Sequence, residues 1–594
     1  MRSLTFPIAR PLAACGALLF AGCAGSADLS QDAGPTPTLY DAPELVQRYA
    51  GTITPEELAG HLYVFASDHF EGRETTARGQ KLAMAYLAGQ HQAMGLRPAG
   101  TMTAASPYAL EAFYQPVPLT EQKVQEVEMA VRVNGEAMAS ARYGGAGSTL
   151  YALSGGAPGP DGAPVVVEAP VAFFGYGLRG QDFGDGRAPY DDVQAAVEAG
   201  VELAGKWVVV LQGEPVDGAG KSLLAPDGTT LPPNSTGFYG KLRSVFTRGV
   251  PAGILLVDRP TAEDGRTVAE KADLARREVG RLSLASAEAG GRRQSLPPVL
   301  VISEATADAL LAPSGRTVAA ARAAISETRA PLVFDVPEAE AVATIRQGAA
   351  PAMTENVLAV VPGSDLASEV VVISAHYDHI GMDPFATGDG INNGADDDGS
   401  GSMALLEIAE AFQTAAAEGR GPRRTVLFLH VSGEEKGLLG SEHYADNDPV
   451  FPLDQTVANL NVDMIGRRDP EYDGDAANYV YVIGAELISD DIDRINADAN
   501  ERAGVGLELS KRFNSPDDPN QFFRRSDHWN FGKHGIPFVF YFSGTHEDYH
   551  QVSDEPQKID YDQMARRARL AFAAAWELAN RDQRPAVSGD GFGS

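Results

Sequence analysis

Apolar runs alternate with amphipathic helical stretches over the last two-fifths of the chain. The apolar runs lie at residues 370–374, 425–429, 457–462 and 536–541, and the helical stretches at 402–417 and near 561–581. Alternating strands and helices are typical of a layered sheet with helices on both faces. We therefore predict an α/β fold for this region, with ligands bound at the carboxyl ends of the strands.

A different pattern runs from about residue 125 to residue 335. Short β-rich runs, among them 170–177, 206–211 and 253–257, are separated by glycine and proline. This spacing predicts a β-rich module inserted into the α/β fold. The predicted boundaries are 51–125 for the N-terminal part of the α/β domain, 126–338 for the module, 339–582 for the main part and 583–594 for a tail. Within the N-terminal part, a helix is predicted from Arg78 to Met94, closed by Gly95.

The N-terminal pattern predicts export. Arg2 and Arg10 precede the apolar stretch 11–20, which is too short to span a membrane as a mature helix. Small residues before Cys23 resemble a bacterial lipobox, although Phe20 stands where leucine is usual. We predict a lipoprotein-type signal at 1–22, a linker at 23–50 and a periplasmic protein or one anchored to the outer membrane through Cys23. The alternative is a plain signal peptide cleaved near residue 24.

Length and charge narrow the choice of partners. The 594 residues exceed what one core normally holds, which favours two folded domains. Lys and Arg total 48 against 80 Asp and Glu, and the net charge of −32 argues against a nucleic-acid partner. Cys15 and Cys23 are the only cysteines, so a chain cleaved before Cys23 cannot form an intrachain disulfide.

Histidines and carboxylates are concentrated near the predicted strands of the α/β region. They lie in five segments, at 374–379, 394–401, 432–441, 461–464 and 549–550. We expect each segment to follow a buried strand, so that all five meet at one edge of the sheet. Two histidines and three carboxylates suit zinc, which in catalytic sites keeps a position for water. No single segment is diagnostic on its own.

The order and wording of these segments resemble the co-catalytic zinc exopeptidases of clan MH, which include bacterial leucyl aminopeptidases and glutamate carboxypeptidase. The resemblance covers roughly residues 54–580 and includes the segment from Ala66 to Arg73. It implies a zinc-exopeptidase fold, with a mixed central sheet flanked by helices. The β-rich module resembles the protease-associated domain that is inserted in many of these enzymes.

The resemblance implies two zinc ions and a ligand set. His376 and Asp463 would bind one ion, Glu435 and His550 would bind the other, and Asp397 would bridge both. The two ions would activate a water molecule that attacks the scissile carbonyl.

The remaining roles also come from the resemblance. Glu434 would be the general base, and Asp378 would orient the neighbouring histidine of the zinc site. Asp398 would follow a cis peptide bond beside the metals. Tyr549 would either help bind the oxyanion or simply pack. The roles of three nearby polar residues stay open: His379, Asp527 and His528.

The leading hypothesis is an aminopeptidase that removes N-terminal residues from peptides. A carboxypeptidase or a dipeptidase would use the same metal-binding residues, so these alternatives stay open. Glutaminyl cyclase shares the fold but uses one zinc ion, and receptor-like relatives have lost the metals; the intact ligand set argues against both. The sequence leaves the preferred residue and the oligomeric state open.

Overall fold

The computed structural model of the protein describes residues 35–588, except 107, 145–146, 160–161, 181–188, 226–230, 232–235, 260–263, 287–295, 387 and 516. The predicted export signal at 1–22, the lipidation site Cys23 and the end of the predicted tail lie outside the described residues. None of the described helices is long and apolar enough to cross a membrane.

Sixteen strands form one hydrogen-bonded sheet among the described residues. They are β1 (Arg97–Pro98), β2 (Tyr114–Val133), β3 (Glu136–Tyr143), β4 (Leu150–Ser154), β5 (Val165–Phe174), β6 (Trp207–Leu211), β7 (Gly253–Val257), β8 (Arg281–Leu284), β9 (Val299–Ile302), β10 (Val333–Val361), β11 (Leu366–His376), β12 (Arg424–Val431), β13 (Thr456–Val462), β14 (Tyr479–Ile483), β15 (Glu508–Ser510) and β16 (Phe538–Phe542).

The described α-helices flank this sheet. They are α1 (Pro43–Ala50), α2 (Pro55–Phe65), α3 (Arg78–Met94), α4 (Asp192–Ala199), α5 (Phe238–Phe246), α6 (Val268–Glu278), α7 (Glu304–Leu311), α8 (Val318–Thr328), α9 (Gly401–Ala417), α10 (Leu439–Glu442), α11 (Ala485–Ile488), α12 (Asp490–Arg502), α13 (His528–Gly532) and α14 (Tyr561–Asn580).

The sheet is mixed, and its path runs β15, β14, β16, β13, β11, β12, β10, β5, β6, β7, β9, β4. Strand β11 is parallel to β12 and β13, and β13 is parallel to β16. Strand β10 is antiparallel to β12, and β14 is antiparallel to β16. The predicted α/β fold with a mixed central sheet is therefore confirmed, and its four parallel strands end at one edge.

Buried apolar residues form two large cores. One core combines residues from the N-terminal helices α1 to α3 with residues 357–579, and Phe412 of α9 stacks there on Trp576 of α14. The other core is built from residues between 127 and 345, including Trp207 and the strands β5, β6, β7 and β9. The second core corresponds to the predicted inserted module, whose boundaries and family stay a prediction.

The two cores are joined by a long antiparallel ribbon. Strand β2 pairs with β10 from Tyr114 opposite Val357 to Val133 opposite Ala339. Val357 belongs to the first core, whereas Val127 and Ile345 belong to the second. A single strand thus runs through both cores, which the sequence pattern does not show.

Candidate metal centre

The carboxyl ends of the parallel strands bring most of the candidate residues together. His376 is the last residue of β11, and Asp463 directly follows β13. Glu434 and Glu435 lie in the turn after β12, and His550 lies in the loop that follows β16. Because these strands are parallel neighbours, residues far apart in sequence meet at one edge of the sheet.

Asp397 reaches this edge by a different route. It lies in the segment Ala395–Ser400, directly before helix α9, and its peptide bond to Asp398 is cis. The prediction that every ligand segment follows a strand is wrong here, because a loop separates β11 from this segment. The backbone N–H of Asp397 donates to the Asp554 carboxylate at 3.2 Å, which fixes the turn.

The first cluster surrounds the imidazole of His376. Its Nε2 lies 3.2 Å from Asp397 Oδ1 and 3.6 Å from Asp463 Oδ1. Its Nδ1 lies 3.0 Å from the backbone carbonyl oxygen of Asp378. If Nδ1 carries the proton and donates to this oxygen, Nε2 has a free lone pair that points at the two carboxylates.

The second cluster surrounds the other carboxylate oxygen of Asp397. His550 Nε2 lies 3.0 Å from Asp397 Oδ2 and 3.1 Å from Glu435 Oε2. The φ of His550 is 58°, a conformation that is uncommon for residues other than glycine and that recurs at functional sites. Asp397 therefore lies between the two histidines, with one oxygen towards each.

The spacing of these atoms fits zinc. Bonds of about 2.0 to 2.2 Å in a tetrahedral arrangement separate neighbouring ligand atoms by about 3.3 Å. The distances within both clusters, from 3.0 to 3.6 Å, lie around this value. In addition, Asp397 Oδ2 and Glu435 Oε1 are buried and have no hydrogen-bond partner in the structure. Buried carboxylate oxygens without donors are expected where a cation binds.

Two more residues come within ligand distance of these clusters. Asp398 groups with His376 and Asp463, and His379 groups with Asp397 and Glu435. Both oxygens of Asp398 already accept backbone N–H groups, from His376 at 3.2 Å, Gly401 at 2.8 Å and Met464 at 3.1 Å. These bonds tie the segment before α9 to the ends of β11 and β13.

His379 is the candidate that sequence reasoning left open. It is fully buried, and its Nδ1 lies 2.8 Å from Glu435 Oε1 and 3.9 Å from Asp397 Oδ2. Its ring stands edge-on to the ring of His550, with centroids 5.7 Å apart. The second cluster thus has two imidazoles beside Glu435.

Asp378 does not contact its histidine as the resemblance implies. Its Oδ1 lies 3.9 Å from His376 Nδ1, farther away than its own backbone carbonyl oxygen. The carboxylate instead accepts a hydrogen bond from Thr75 Oγ1 at 2.7 Å and one from the backbone N–H of Glu434 at 3.2 Å. The backbone of Asp378 orients the imidazole, and its side chain holds the turn of the two glutamates.

The two adjacent glutamates differ in the direction of their pKa shifts. Burial raises the pKa of Glu434 well above its usual value. Burial has the same tendency at Glu435, but the nearby His550 outweighs it and lowers the pKa of Glu435 to about 2. Glu434 Oε2 lies 4.0 Å from His376 Nε2, at the edge of the first cluster. Glu435 is therefore held as a carboxylate, whereas Glu434 accepts a proton more readily.

The site opens into a pocket with one apolar wall. Its lining includes five of the candidate metal-binding and catalytic residues: His376, Asp397, Glu434, Asp463 and Tyr549. The apolar wall consists of Met464, Phe522, Phe540 and Phe542. Tyr549 stacks on His550 with centroids 3.9 Å apart and faces both this pocket and a neighbouring groove.

Two residues outside the predicted ligand set support the site. Ser526 donates to Asp463 Oδ2 at 2.6 Å. Arg73 is fully buried and donates to the backbone carbonyls of Tyr377 at 2.9 Å, Asn393 at 2.6 Å and Gly394 at 2.8 Å. The resemblance at Ala66 to Arg73 was a signal for this arginine, whereas no sequence signal singled out Ser526.

Asp527 and His528, whose roles the sequence leaves open, lie outside the two clusters. Asp527 is buried and accepts from Ser441 Oγ at 2.5 Å, and burial raises its pKa to about 7. His528 lies 3.0 Å, through Nε2, from the Phe523 carbonyl and stacks on Phe540. Asp527 is close enough to Glu434 to act on its charge, and His528 belongs to the aromatic packing behind the pocket.

Comparison with known proteins identifies the region that carries this site. Residues 356–575 match peptidase family M28. Aminopeptidase YwaD of Bacillus subtilis (strain 168) is 26% identical over 224 residues, which make up 36% of this chain and 43% of that protein. Leupeptin-inactivating enzyme 1 of Streptomyces exfoliatus is 32% identical over 203 residues, or 34% and 38% of the two chains.

The chain spans less than half the length of these two curated relatives. Among solved structures, an aminopeptidase from Aneurinibacillus sp. strain AM-1 aligns over 91% of this chain and 98% of its own, with a TM-score of 0.46 and 16% identity. The matched family region contains all five candidate metal ligands, Glu434 and Tyr549. The region 356–575, which carries the metal centre, is therefore similar to peptidase family M28.

Proposed function

We propose that the protein is a zinc-dependent exopeptidase that removes N-terminal residues from peptides. The observation that carries this proposal is the position of Asp397, which turns one oxygen to His376 and the other to His550. The match of residues 356–575 to peptidase family M28 supports hydrolysis of peptide bonds, and the relative named as an aminopeptidase supports the choice of the N-terminal end.

Two zinc ions are proposed for the two clusters. His376 and Asp463 would hold one ion, His550 and Glu435 would hold the other, and Asp397 would bridge them. Bound zinc supplies a Lewis acid for the scissile carbonyl and lowers the pKa of water to near neutrality. The name of one curated relative, a probable zinc metalloprotease of Pyricularia oryzae, is consistent with this metal.

Glu434 is the proton carrier in this proposal. Its carboxylate lies at the edge of the first cluster and lines the pocket, and burial raises its pKa well above the usual value. It takes a proton from the attacking water and delivers it to the leaving amine. Its backbone N–H is tied to Asp378, so the carboxylate stays in place between these two steps.

His379 and Tyr549 complete the proposed site. His379 Nδ1 lies 2.8 Å from Glu435 Oε1, beside the carboxylate that faces His550. Tyr549 lies in the pocket wall next to the same histidine and offers its hydroxyl to the substrate carbonyl oxygen.

A substrate panel tests the activity. The purified, zinc-loaded protein is assayed on Leu-Ala-Ala-amide, on its N-acetylated form and on N-acetyl-Ala-Ala-Leu with a free carboxylate. We expect release of leucine from the first peptide alone, because the free amine marks the end that is cleaved. Cleavage of the third peptide would instead identify a carboxypeptidase, and cleavage of none would contradict the proposal.

A further inference from the structure

The arginine Arg525 lies where the metal-site pocket meets a neighbouring groove. It lines the pocket together with His376, Asp463 and Phe522. It also lines the groove, which continues past Glu435 and Trp529. Among the described residues that line the pocket, it is the only arginine or lysine.

The guanidinium of Arg525 is exposed and has no carboxylate partner. Its Cζ lies 5.0 Å from the centroid of the Phe522 ring, and the structure gives it no ion pair with any described residue. Two other cations near the site are neutralised, since Arg467 pairs with Asp548 at 2.9 Å and Lys533 pairs with Asp446 at 2.6 Å.

The backbone around Arg525 is anchored on both sides. Phe522 and Phe523 before it are buried, and Ser526 directly after it donates to Asp463. The neighbouring Arg524 stacks on Phe523 and Trp529, with its Cζ 5.0 Å from each ring centroid, and lines the groove as well. The groove therefore has two guanidinium groups that are held by aromatic rings and are free to bind an anion.

We propose that Arg525 binds a carboxylate on the leaving side of the peptide, which gives the enzyme a preference for substrates that carry negative charge next to the scissile bond. A planar guanidinium can bind both oxygens of a carboxylate, and stacking on Phe522 holds it in position beforehand. The pocket behind it carries the acidic side chains of Asp397, Glu434 and Asp463, which disfavour an anion there. The groove also carries Glu434, Glu435 and Glu442, but it presents both Arg524 and Arg525, whereas the pocket presents Arg525 alone. The carboxylate is therefore directed to the groove rather than to the metal-site pocket.

The carboxylate can come from two sources, the C-terminus of a dipeptide or an acidic side chain at the second residue. Two substrate pairs distinguish them: Leu-Ala against Leu-Ala-amide, and Leu-Asp-amide against Leu-Asn-amide. This inference rests on the proposed aminopeptidase activity. We expect at least one pair to show a preference for the charged member of roughly 10-fold in kcat/KM. The preference should fall as salt is added, because the arginine is exposed.

The variant Arg525→Gln should abolish this preference. Arg525→Lys keeps the charge but loses the planar fork, so it should restore the preference only in part. The matched control is Arg502→Gln, which removes an exposed arginine stacked on Tyr40 away from the pocket, with its Cζ 4.7 Å from the ring centroid. Equal kcat/KM values for both members of both pairs in the wild type would overturn the proposal, and so would a uniform loss on all substrates in Arg525→Gln.

A binding measurement separates this inference from the proposed activity. Glu434→Gln, loaded with zinc, is titrated calorimetrically with Leu-Asp-amide and with Leu-Asn-amide. Tighter binding of the acidic peptide that disappears in the double variant Glu434→Gln/Arg525→Gln supports the carboxylate site even if no peptide is hydrolysed. Equal binding of the two peptides overturns it, even if both are hydrolysed by the wild type.

Discussion

Glu434 and Glu435 are adjacent in sequence but face different groups. Glu435 contacts His379 and His550, whereas Glu434 lies at the edge of the first cluster. We expect Glu434→Gln to keep its zinc and to lose roughly 10²- to 10⁴-fold in kcat, the usual effect of removing a general base. Steady-state kinetics with elemental analysis measures both quantities. The control Glu410→Gln, on α9, should change neither, and full activity of Glu434→Gln would refute its role.

For Asp397, we expect substitution to affect zinc binding itself. Its two oxygens face His376 and His550, so an amide in this position removes one charged ligand atom from each cluster. We expect Asp397→Asn to lose most of its bound zinc, measured by elemental analysis after dialysis. Asp473→Asn, at an exposed aspartate, serves as the control. Two equivalents of zinc in Asp397→Asn would show that this residue does not bridge.

The sequence predicted which segments form the site better than it predicted the contacts of individual residues. The resemblance singled out Asp397 among three consecutive aspartates, and the structure places this residue between the histidines while Asp396 bonds to the Gly466 N–H. The contact of Asp378 with Thr75, by contrast, depends on a residue about three hundred positions away. Arg525 went unnoticed because an arginine after a buried aromatic segment has no distinctive pattern.

At the scale of elements, the N-terminal segment Asp68–Arg73 supports the loops that carry the ligands. The guanidinium of Arg73 satisfies carbonyls on both sides of the site, at Tyr377 and at Gly394. Gly72 packs so closely that a Cβ there would lie 2.5 Å from the Gly381 carbonyl oxygen. A residue far from the family-matched region in sequence thus fixes the positions of His376 and Asp397.

We expect Arg73→Lys to destabilise the protein by about 3 kcal/mol and to weaken zinc binding, because one ammonium cannot reach all these buried carbonyls. Thermal unfolding and competition with a chelator measure the two effects. Arg78→Lys is the control in the same region, since Arg78 is exposed and pairs with Glu71. Zinc affinity that is unchanged in Arg73→Lys would limit Arg73 to a role in folding.

The C-terminal helix α14 contains a buried acid that makes stability depend on pH. Glu577 is 2% exposed and accepts the Leu39 N–H at 2.9 Å, and burial raises its pKa to about 7. The unfolded chain ionises this group near pH 4.5, so stability is lost as the pH rises from there to about 7.

Replacing Glu577 with glutamine should therefore stabilise the protein above pH 7. The amide oxygen can still accept the Leu39 N–H. Unlike the buried glutamate, the amide does not ionise, so folding no longer opposes loss of a proton at high pH. We expect a gain of roughly 2 to 3 kcal/mol at pH 8 that vanishes near pH 4. Calorimetric scans at both pH values test this, with Glu501→Gln as an exposed control. An equal gain at both values would rule out ionisation of Glu577 as the cause.

Helix and strand positions were predictable where the pattern is local. The predicted helix from Arg78 to Met94 is confirmed, and Gly95 ends it with a φ of 83°. The strands β6 and β7 also lie where their short apolar runs predict them. The long strands β2 and β10 were not predicted, because many of their residues are exposed or polar and their stability comes from pairing with each other.

At the scale of the whole molecule, the two cores are unequal in their relation to the metal site. All candidate ligands lie between His376 and His550, on the first core, and none of the described residues of the second core lies in either cluster. The two cores nevertheless share strand β10 and its partner β2. Two outcomes of metal loss are therefore distinguishable: the destabilisation is confined to the first core, or it spreads along this ribbon to the second core.

We expect removal of zinc by a chelator to affect the first core alone. Without cations, the carboxylates of Asp397, Glu435 and Asp463 repel one another beside the ends of β11, β12 and β13, so these strands open more readily. Hydrogen exchange followed by mass spectrometry should show faster exchange in these strands and unchanged exchange in β6 and β7. The internal control is the β2 and β10 ribbon, whose exchange should rise only near Val357. Faster exchange throughout β5 to β9 would instead show that the two cores unfold as one unit. Strand β10 would then transmit the destabilisation from the metal site to the second core, because it is hydrogen-bonded to β2 along the ribbon and also to β5.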